Sequence, residues 1–271
     1  MLGWMIAKVL FPVDFSPACE AMAPYVKRAT DLFGARVTLA YVCDLVSHNG
    51  FELVVRYPQE IAEEHLSISK EKLRSFLHAE FADGERILRS GEAAQEIAEA
   101  ARSGGFDLIV MPTHAGRFRR MLLGSTTAKV LNDAECPILT TLHAETGVPR
   151  PLEHRVWVCA AGLSPDAERV LRFAGPAAHA AGGKLFVVHA DCEGRGQDAQ
   201  RRLETLLAAV GAAAELHILS GPVKDALLDA VRRFDADALV VGRPPQTGGL
   251  GRLRDLTYSL IRDSPVPVLS V

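Results

Sequence analysis

The chain has 271 residues, 48 % of them apolar and 23 % charged, with a formal net charge of −3. That length is too great for one small α/β domain and suits two domains of about 130 residues, each able to bury its own core. The near-neutral balance excludes a broad basic nucleic-acid surface, five cysteines without a CxxC spacing exclude a disulfide framework or zinc knuckle, and no run reaches the ~18 apolar residues of a membrane helix.

Lys8 and Asp14 bracket only a short apolar run, Val9 to Val13, with no cleavage site after it, so no signal peptide is read and a cytoplasmic protein is expected. The segment Ile6–Val13 predicts a buried strand. Ser16-Pro17 predicts a helix start, with a cap residue followed by proline in the first turn, and Gly34 predicts its end. Val37–Val42 reads as the second strand. A Glu- and Lys-rich amphipathic helix is expected from about Pro58 to His78. Strands over Glu85–Leu88, Leu108–Met111 and Ile138–Thr141 alternate with helices over Glu92–Arg102 and Ser125–Asn132.

The same order then returns. Strands are expected at Val156–Cys159, Leu185–His189, Leu216–Leu219, Ala238–Val241 and Val266–Val271, with helices starting near Ser164, Gln197, Pro222 and Leu253. The recurrence is a true repeat. Ser90-Gly91 matches Ser220-Gly221, and the run from Asp107 to Met111 matches that from Asp237 to Val241. Ser16-Pro17 matches Ser164-Pro165 at a larger offset, which places an insertion in the first copy at about 46–80. A Pro- and Gly-containing linker, 145–152, separates a first domain, 1–145, from a second, 153–271. Alternating strands and helices imply two tandem doubly wound, Rossmann-like domains, each with five parallel strands. In such sheets ligands bind beyond the carboxyl ends of the strands.

Residues at that edge carry a resemblance. Val13-Asp14-Phe15-Ser16 after the first strand, Asp107 to His114 through the fourth, Leu122-Leu-Gly-Ser125 before the last helix and Cys136-Pro-Ile-Leu139 resemble the universal stress protein family over nearly the whole chain. The resemblance implies an adenine nucleotide alpha hydrolase-like fold and, in the family's ATP-binding branch, a Gly-x2-Gly-x9-Gly-Ser/Thr loop. Gly124-Ser125 matches the end of that loop, and Thr126 and Thr127 add hydroxyls. Pro112 and Ala115 stand at its first two glycines, and the spacer is one residue short. The nucleotide site implied in the first copy comprises Pro12, Val13, Asp14, Val42, Met111, Thr113, Gly124, Ser125, Thr126 and Thr127. Adenine would lie near Pro12 and Val42, the adenosine portion at Asp14, and phosphates at the helix start. Read as residues alone, Gly124–Thr127 is equally a capped helix start, and Asp14 a turn residue capping the next helix.

In the second copy Gly162 replaces the aspartate, Ala190 replaces the valine, and Arg254-Asp255 stand at Gly124-Ser125. Asp255 is expected to cap its helix and oppose phosphate. Arg117, Arg119 and Arg120 read as a solvated face, His114 as an unpartnered loop residue, and Gly248–Gly251 as a flexible loop. No nucleophile–base pair is found, so an enzyme is not expected. The cofactor implied is ATP, with Mg accompanying it, in the first repeat only. The partners expected are an adenine nucleotide, the other repeat through its last strand, a second copy of the chain as a homodimer, and a protein of unspecified class. Nucleic acid and membrane are not expected. The alternative is a ligand-free interaction module with relic pockets in both repeats.

Overall fold

The computed structural model describes residues 6–44, 46–49, 53–56, 59–113, 123–141, 155–192, 194–243 and 251–271, with backbone only for 46–49, 53–56 and 251–254. The chain divides into two compact units, one of Ile6–Arg120 with Gly124–Cys136, the other mainly of Pro137–Val271.

The first unit runs β1 (Lys8–Pro12), α1 (Pro17–Phe33), β2 (Arg36–Cys43), β3 (Val46–Asn49), β4 (Leu53–Arg56), α2 (Gln59–Ser75), β5 (Glu85–Ser90), α3 (Ala93–Gly104), β6 (Leu108–Pro112) and α4 (Ser125–Asp133). Its main sheet has the order β5-β2-β1-β6, all parallel. Val9, Leu10 and Phe11 of the central strand are fully buried, as expected of strands covered on both faces. The Ser16 hydroxyl accepts from the Cys19 amide at 3.3 Å to open α1, and Gly34 ends that helix at φ 62°. The insertion holds more than the one expected helix. β3 and β4 form an antiparallel hairpin before α2. The helix is pinned at its end by Arg86, whose guanidinium donates to the carbonyls of Leu73, Gly84 and Phe81 at 3.0, 2.7 and 3.2 Å.

The second unit runs β7 (Ile138–Thr141), β8 (Val156–Ala160), α5 (Asp166–Ala180), β9 (Lys184–Asp191), α6 (Gly196–Val210), β10 (Glu215–Ser220), α7 (Val223–Arg233), β11 (Ala238–Val241), α8 (Gly251–Asp263) and β12 (Val268–Ser270). Its strand order is β10-β9-β8-β11-β12-β7. Only β7 is antiparallel there, with Leu139 opposite Leu269. The last strands of the two repeats therefore pair within one chain, and β7 packs with the second repeat's strands. This pairing covers an edge of β12 that would otherwise present unpaired amides and carbonyls. No helix among the described residues is long and apolar enough to cross a membrane.

Both repeats use the same stitch at the sheet's amino end. Asp107 Oδ2 accepts from the amides of Ala7 and Lys8, each at 2.9 Å. Asp237 Oδ2 accepts from those of Arg155 and Val156 at 2.7 and 2.9 Å. The recurring aspartate thus anchors the start of the first strand to the start of the fourth.

One ion cluster joins α7 to α8. Asp263 is held by Arg262 at 2.9 Å and by Lys224, and these hydrogen bonds lower its carboxyl pKa to about 2. A depressed carboxyl pKa stabilises the fold above the ordinary aspartate range, and that contribution disappears as pH falls through about 2. Because the group is partly solvated and its partners are surface side chains, its worth is below about 1 kcal/mol. Acid titration monitored by circular dichroism should show a small stability loss between pH ~4 and ~2 that Asp263→Asn lacks.

Candidate functional site

At the carboxyl ends of β1, β2 and β6 the first unit opens into a cavity of about 340 Å³. Pro12, Val13, Asp14, Val42, Met111, Gly124, Ser125, Thr126 and Thr127 all line it. β1 delivers Pro12, with Val13 and Asp14 just beyond its end; β2 delivers Val42, β6 delivers Met111, and the start of α4 delivers the rest. The volume lies at the lower end of the ligand-pocket range of roughly 300–1,000 Å³.

Thr113 is the one expected site residue that does not line the cavity. It is 2 % exposed, and its carbonyl accepts from the Gly124 amide at 2.8 Å. That bond folds the chain beyond β6 back onto the start of α4. Thr127 lines the cavity, but its hydroxyl already donates to the Pro112 carbonyl at 3.0 Å. Its side chain is therefore a brace between β6 and α4. Thr257 makes the corresponding bond to the Gly242 carbonyl at 3.4 Å.

What α4 offers a ligand is backbone. Its flanking residue is Gly124, with no side-chain cap, and the first intrahelical bond runs from the Ala128 amide to the Gly124 carbonyl at 2.8 Å. The amides of Ser125, Thr126 and Thr127 precede that bond, at the positive end of the helix dipole. Ser125 is exposed and its hydroxyl adds a donor.

Asp14 takes the turn role that one of its two sequence readings expects. Oδ1 accepts from the Ser16 amide and from the Cys19 thiol, each at 3.0 Å, which braces the turn into α1. The carboxylate is nonetheless exposed at the cavity's rim. Burial first, then the neighbouring Asp14 charge, drives the Cys19 thiol far above the ordinary cysteine range. It stays a neutral donor to the carboxylate and is no nucleophile.

Several lining residues were not singled out from sequence. Tyr41 precedes Val42 on β2, and Ala93 and Ile97 form an i,i+4 pair on α3 facing the cavity. The Tyr41 ring lies 4.5 Å from that of Phe15, which meets Phe76 at 5.2 Å and carries Lys72 Nζ of α2 over its face at 4.5 Å. The insertion is thereby tied to the site's edge through an aromatic cluster. Phe15 adopts φ 61°, a left-handed conformation costly for a bulky residue. The strain is held by that cluster on one side and the Asp14 turn on the other.

The second unit has its own cavity in the matching place, about 240 Å³, bordered by Gly162, His189, Ala190 and Gly242. Asp255 does not behave as expected. α8 begins at Gly251, so Asp255 sits within the helix and not at its cap, and its exposed side chain is outside the cavity lining. The reason is an earlier start to the helix than in α4. His114, Ala115, Arg117, Arg119, Arg120, Leu122, 145–152 and 248–250 lie outside the described residues.

Comparison with known proteins agrees with this architecture. A sequence model of the Universal stress protein family matches residues 5–141 and 154–271. The chain is 30 % identical over 142 residues to Universal stress protein MJ0531 of Methanocaldococcus jannaschii, covering 49 % of this chain and 79 % of that protein. It is 26 % identical over 136 residues to Universal stress protein A homolog 2 of Coxiella burnetii, covering 49 % and 92 %. The crystal structure of a universal stress protein from Archaeoglobus fulgidus superposes with a TM-score of 0.77 at 24 % identity, over 100 % of this chain and 97 % of the other, which shows a shared fold. With both repeats matched separately, the chain belongs to the Universal stress protein family in a tandem two-domain form.

Proposed function

We propose that the first repeat binds ATP or a related adenine nucleotide, with Mg accompanying its phosphates, and that the protein acts as a cytoplasmic stress-response regulator, not an enzyme. The observation that carries the reading is convergence. Residues distant in sequence, Pro12, Asp14, Val42 and Gly124–Thr127, line one cavity that ends at the amides opening α4. Apolar walls suit a base, the rim carboxylate suits ribose hydroxyls, and the helix start suits phosphate. The fit is selective about where charge can go. Asp14 disfavours an anion at its end of the cavity, and the helix start favours one. Among the described residues no group of three or more His, Cys, Asp and Glu is placed to hold a metal. Magnesium would therefore be held by the nucleotide's own phosphates.

A ligand-free adaptor is the competing reading, and Asp14 is what favours it, since one carboxylate oxygen is already engaged in the turn. Calorimetry on nucleotide-stripped full chain separates the two. The nucleotide reading expects one ATP per chain, and a loss of tens of fold in affinity for Asp14→Ala, because a hydrogen bond to a charged group is worth about 1.5–3 kcal/mol. Asp14→Asn should keep the turn and lose most of the same affinity. No heat with any adenine nucleotide would leave the adaptor reading standing.

A further inference from the structure

The first unit has a further cavity, about 560 Å³, at the opposite end of its sheet. It is bordered by Lys8, Arg36 and Glu85, the first residues of β1, β2 and β5, and by the last turn of α3. It shares no residue with the cavity at the carboxyl ends of the strands.

In the second unit three rings occupy the corresponding place. Both units pair these strands in one register, with Glu85 opposite Thr38 and Glu215 opposite Phe186. Thr38, Ile87 and Gly104 therefore correspond to Phe186, His217 and Phe234. Phe186 and Phe234 stack with centroids 4.2 Å apart and planes 2° from parallel, and the His217 ring lies 4.7 Å from that of Phe234. In the first unit the ring stands two residues further on, at Phe106, where the second has Ala236. A Cβ at position 104 would come within 2.4 Å of the Phe106 ring, so glycine there leaves the ring its place in the cavity wall.

Charge changes together with shape. Lys8 and Arg89 line the cavity where Val156 and Leu219 stand in the second unit. Both are half-buried, and their heads converge on neighbouring residues of α3. Lys8 Nζ donates to the Gly104 carbonyl at 3.0 Å, and the Arg89 guanidinium donates to the Ser103 hydroxyl at 3.3 Å. Glu96 pairs with Arg89 at 3.2 Å and offsets its charge. Among the described residues neither Lys8 nor Arg36 has a carboxylate within ion-pair reach. The Gly104 carbonyl fixes the Lys8 ammonium and leaves its other N–H groups as donors. The carboxylates on the lining, Asp83 and Glu85, are both exposed, and Glu85 accepts from the Thr38 hydroxyl at 3.3 Å. Water screens them more than it does the half-buried cations.

We infer that this cavity binds a small organic carboxylate with an apolar body. Its carboxylate is received by Lys8 and Arg89 beside the last turn of α3, and its body lies against Val37, Ile87 and Phe106. The apolar wall gives inorganic phosphate nothing to bury, and a second negative charge would face Asp83 and Glu85. The assignment stands apart from nucleotide binding, which uses the other end of the same strands.

Phenylpropanoate and phenylpropylamine, one body with opposite charges, are the probes, with inorganic phosphate as the third. Each is titrated into the full chain and followed by two-dimensional amide spectra. Phenylpropanoate should shift the amides of residues 36–38, 85–89 and 103–106, and should bind at least about tenfold more tightly than the amine, whose charge the Lys8 ammonium repels. Lys8→Met keeps an apolar stem and should weaken phenylpropanoate about tenfold, the share of one charge-assisted hydrogen bond at a partly solvated site. Thr38→Phe puts the second unit's ring at its own register position and should abolish binding by filling the space. If Thr38→Phe fails to fold, Lys8→Met and the location of the shifts decide the matter. Absence of phenylpropanoate binding, shifts confined to other residues, an amine or phosphate bound as tightly, or unchanged affinity in Lys8→Met would each overturn the assignment.

Discussion

Ser125→Glu is expected to lower the affinity of the first repeat for ATP at least a hundredfold while leaving the fold intact. Ser125 is the first residue of α4, exposed, and lines the cavity next to the helix's unpartnered amides. A glutamate there suits the helix itself, since a negative charge in the first turn is favourable by about 0.3–1 kcal/mol. The same charge occupies the place the phosphates need. Two unit charges ~4 Å apart repel by about 1 kcal/mol in bulk water and about 4 kcal/mol near a protein surface, and a triphosphate presents more than one. A loss of about 2.7 kcal/mol, a hundredfold, is therefore a lower expectation. Calorimetry gives the affinity and thermal unfolding gives the control. Weak binding with an unchanged or raised melting temperature supports the placement. Binding equal to the unsubstituted protein would show that the phosphates lie elsewhere.

The largest stability effects are expected at Asp107 and Asp237. Each carboxylate oxygen accepts two backbone amides at the start of its repeat's first strand, with distances of 2.7–2.9 Å. Each aspartate's own amide returns a bond to that strand, Asp107 to the Lys8 carbonyl at 3.0 Å and Asp237 to the Val156 carbonyl at 2.8 Å. Alanine keeps the return bond and removes the other two. With charge-assisted bonds worth about 1.5–3 kcal/mol and partial solvation reducing that, about 2–3 kcal/mol per site is expected. Asparagine retains an acceptor oxygen and should recover roughly half. Urea unfolding measures it. Because the two stitches lie in different units, each alanine variant should destabilise chiefly its own repeat, and the double variant should show nearly additive loss. A double variant no worse than either single one would mean the stitches act on one shared element.

Much of this protein is legible without coordinates, for reasons that are local. The apolar run Val9 to Val13 reads as a covered strand, Ser16-Pro17 opens a helix through one hydroxyl and one fixed φ, and Gly34 ends it where φ turns positive. Self-similarity, from Ser90-Gly91 against Ser220-Gly221 to Asp107 against Asp237, carries the tandem organisation, because equal sequence builds equal supersecondary units.

Other features depend on which distant groups meet. The sequence shows threonine at 127 but not that its hydroxyl is spent on the Pro112 carbonyl, since that bond spans fifteen residues and needs β6 and α4 already packed. It shows Phe15 but not its positive φ, which is held between the cluster with Tyr41, Phe76 and Lys72 and the Asp14 turn. It shows Asp255 where Ser125 stands in the other repeat, but the point at which α8 starts decides whether that residue caps a helix or lies within it. The second repeat's cavity is the fullest case. Gly162 and Ala190 read in sequence as departures from the first repeat's pattern, and only when three strands and three helices close around them does a separate cavity form there. Periodicity and caps are written in neighbouring residues; the volume left between packed elements is a property of all of them together, and no local pattern encodes it.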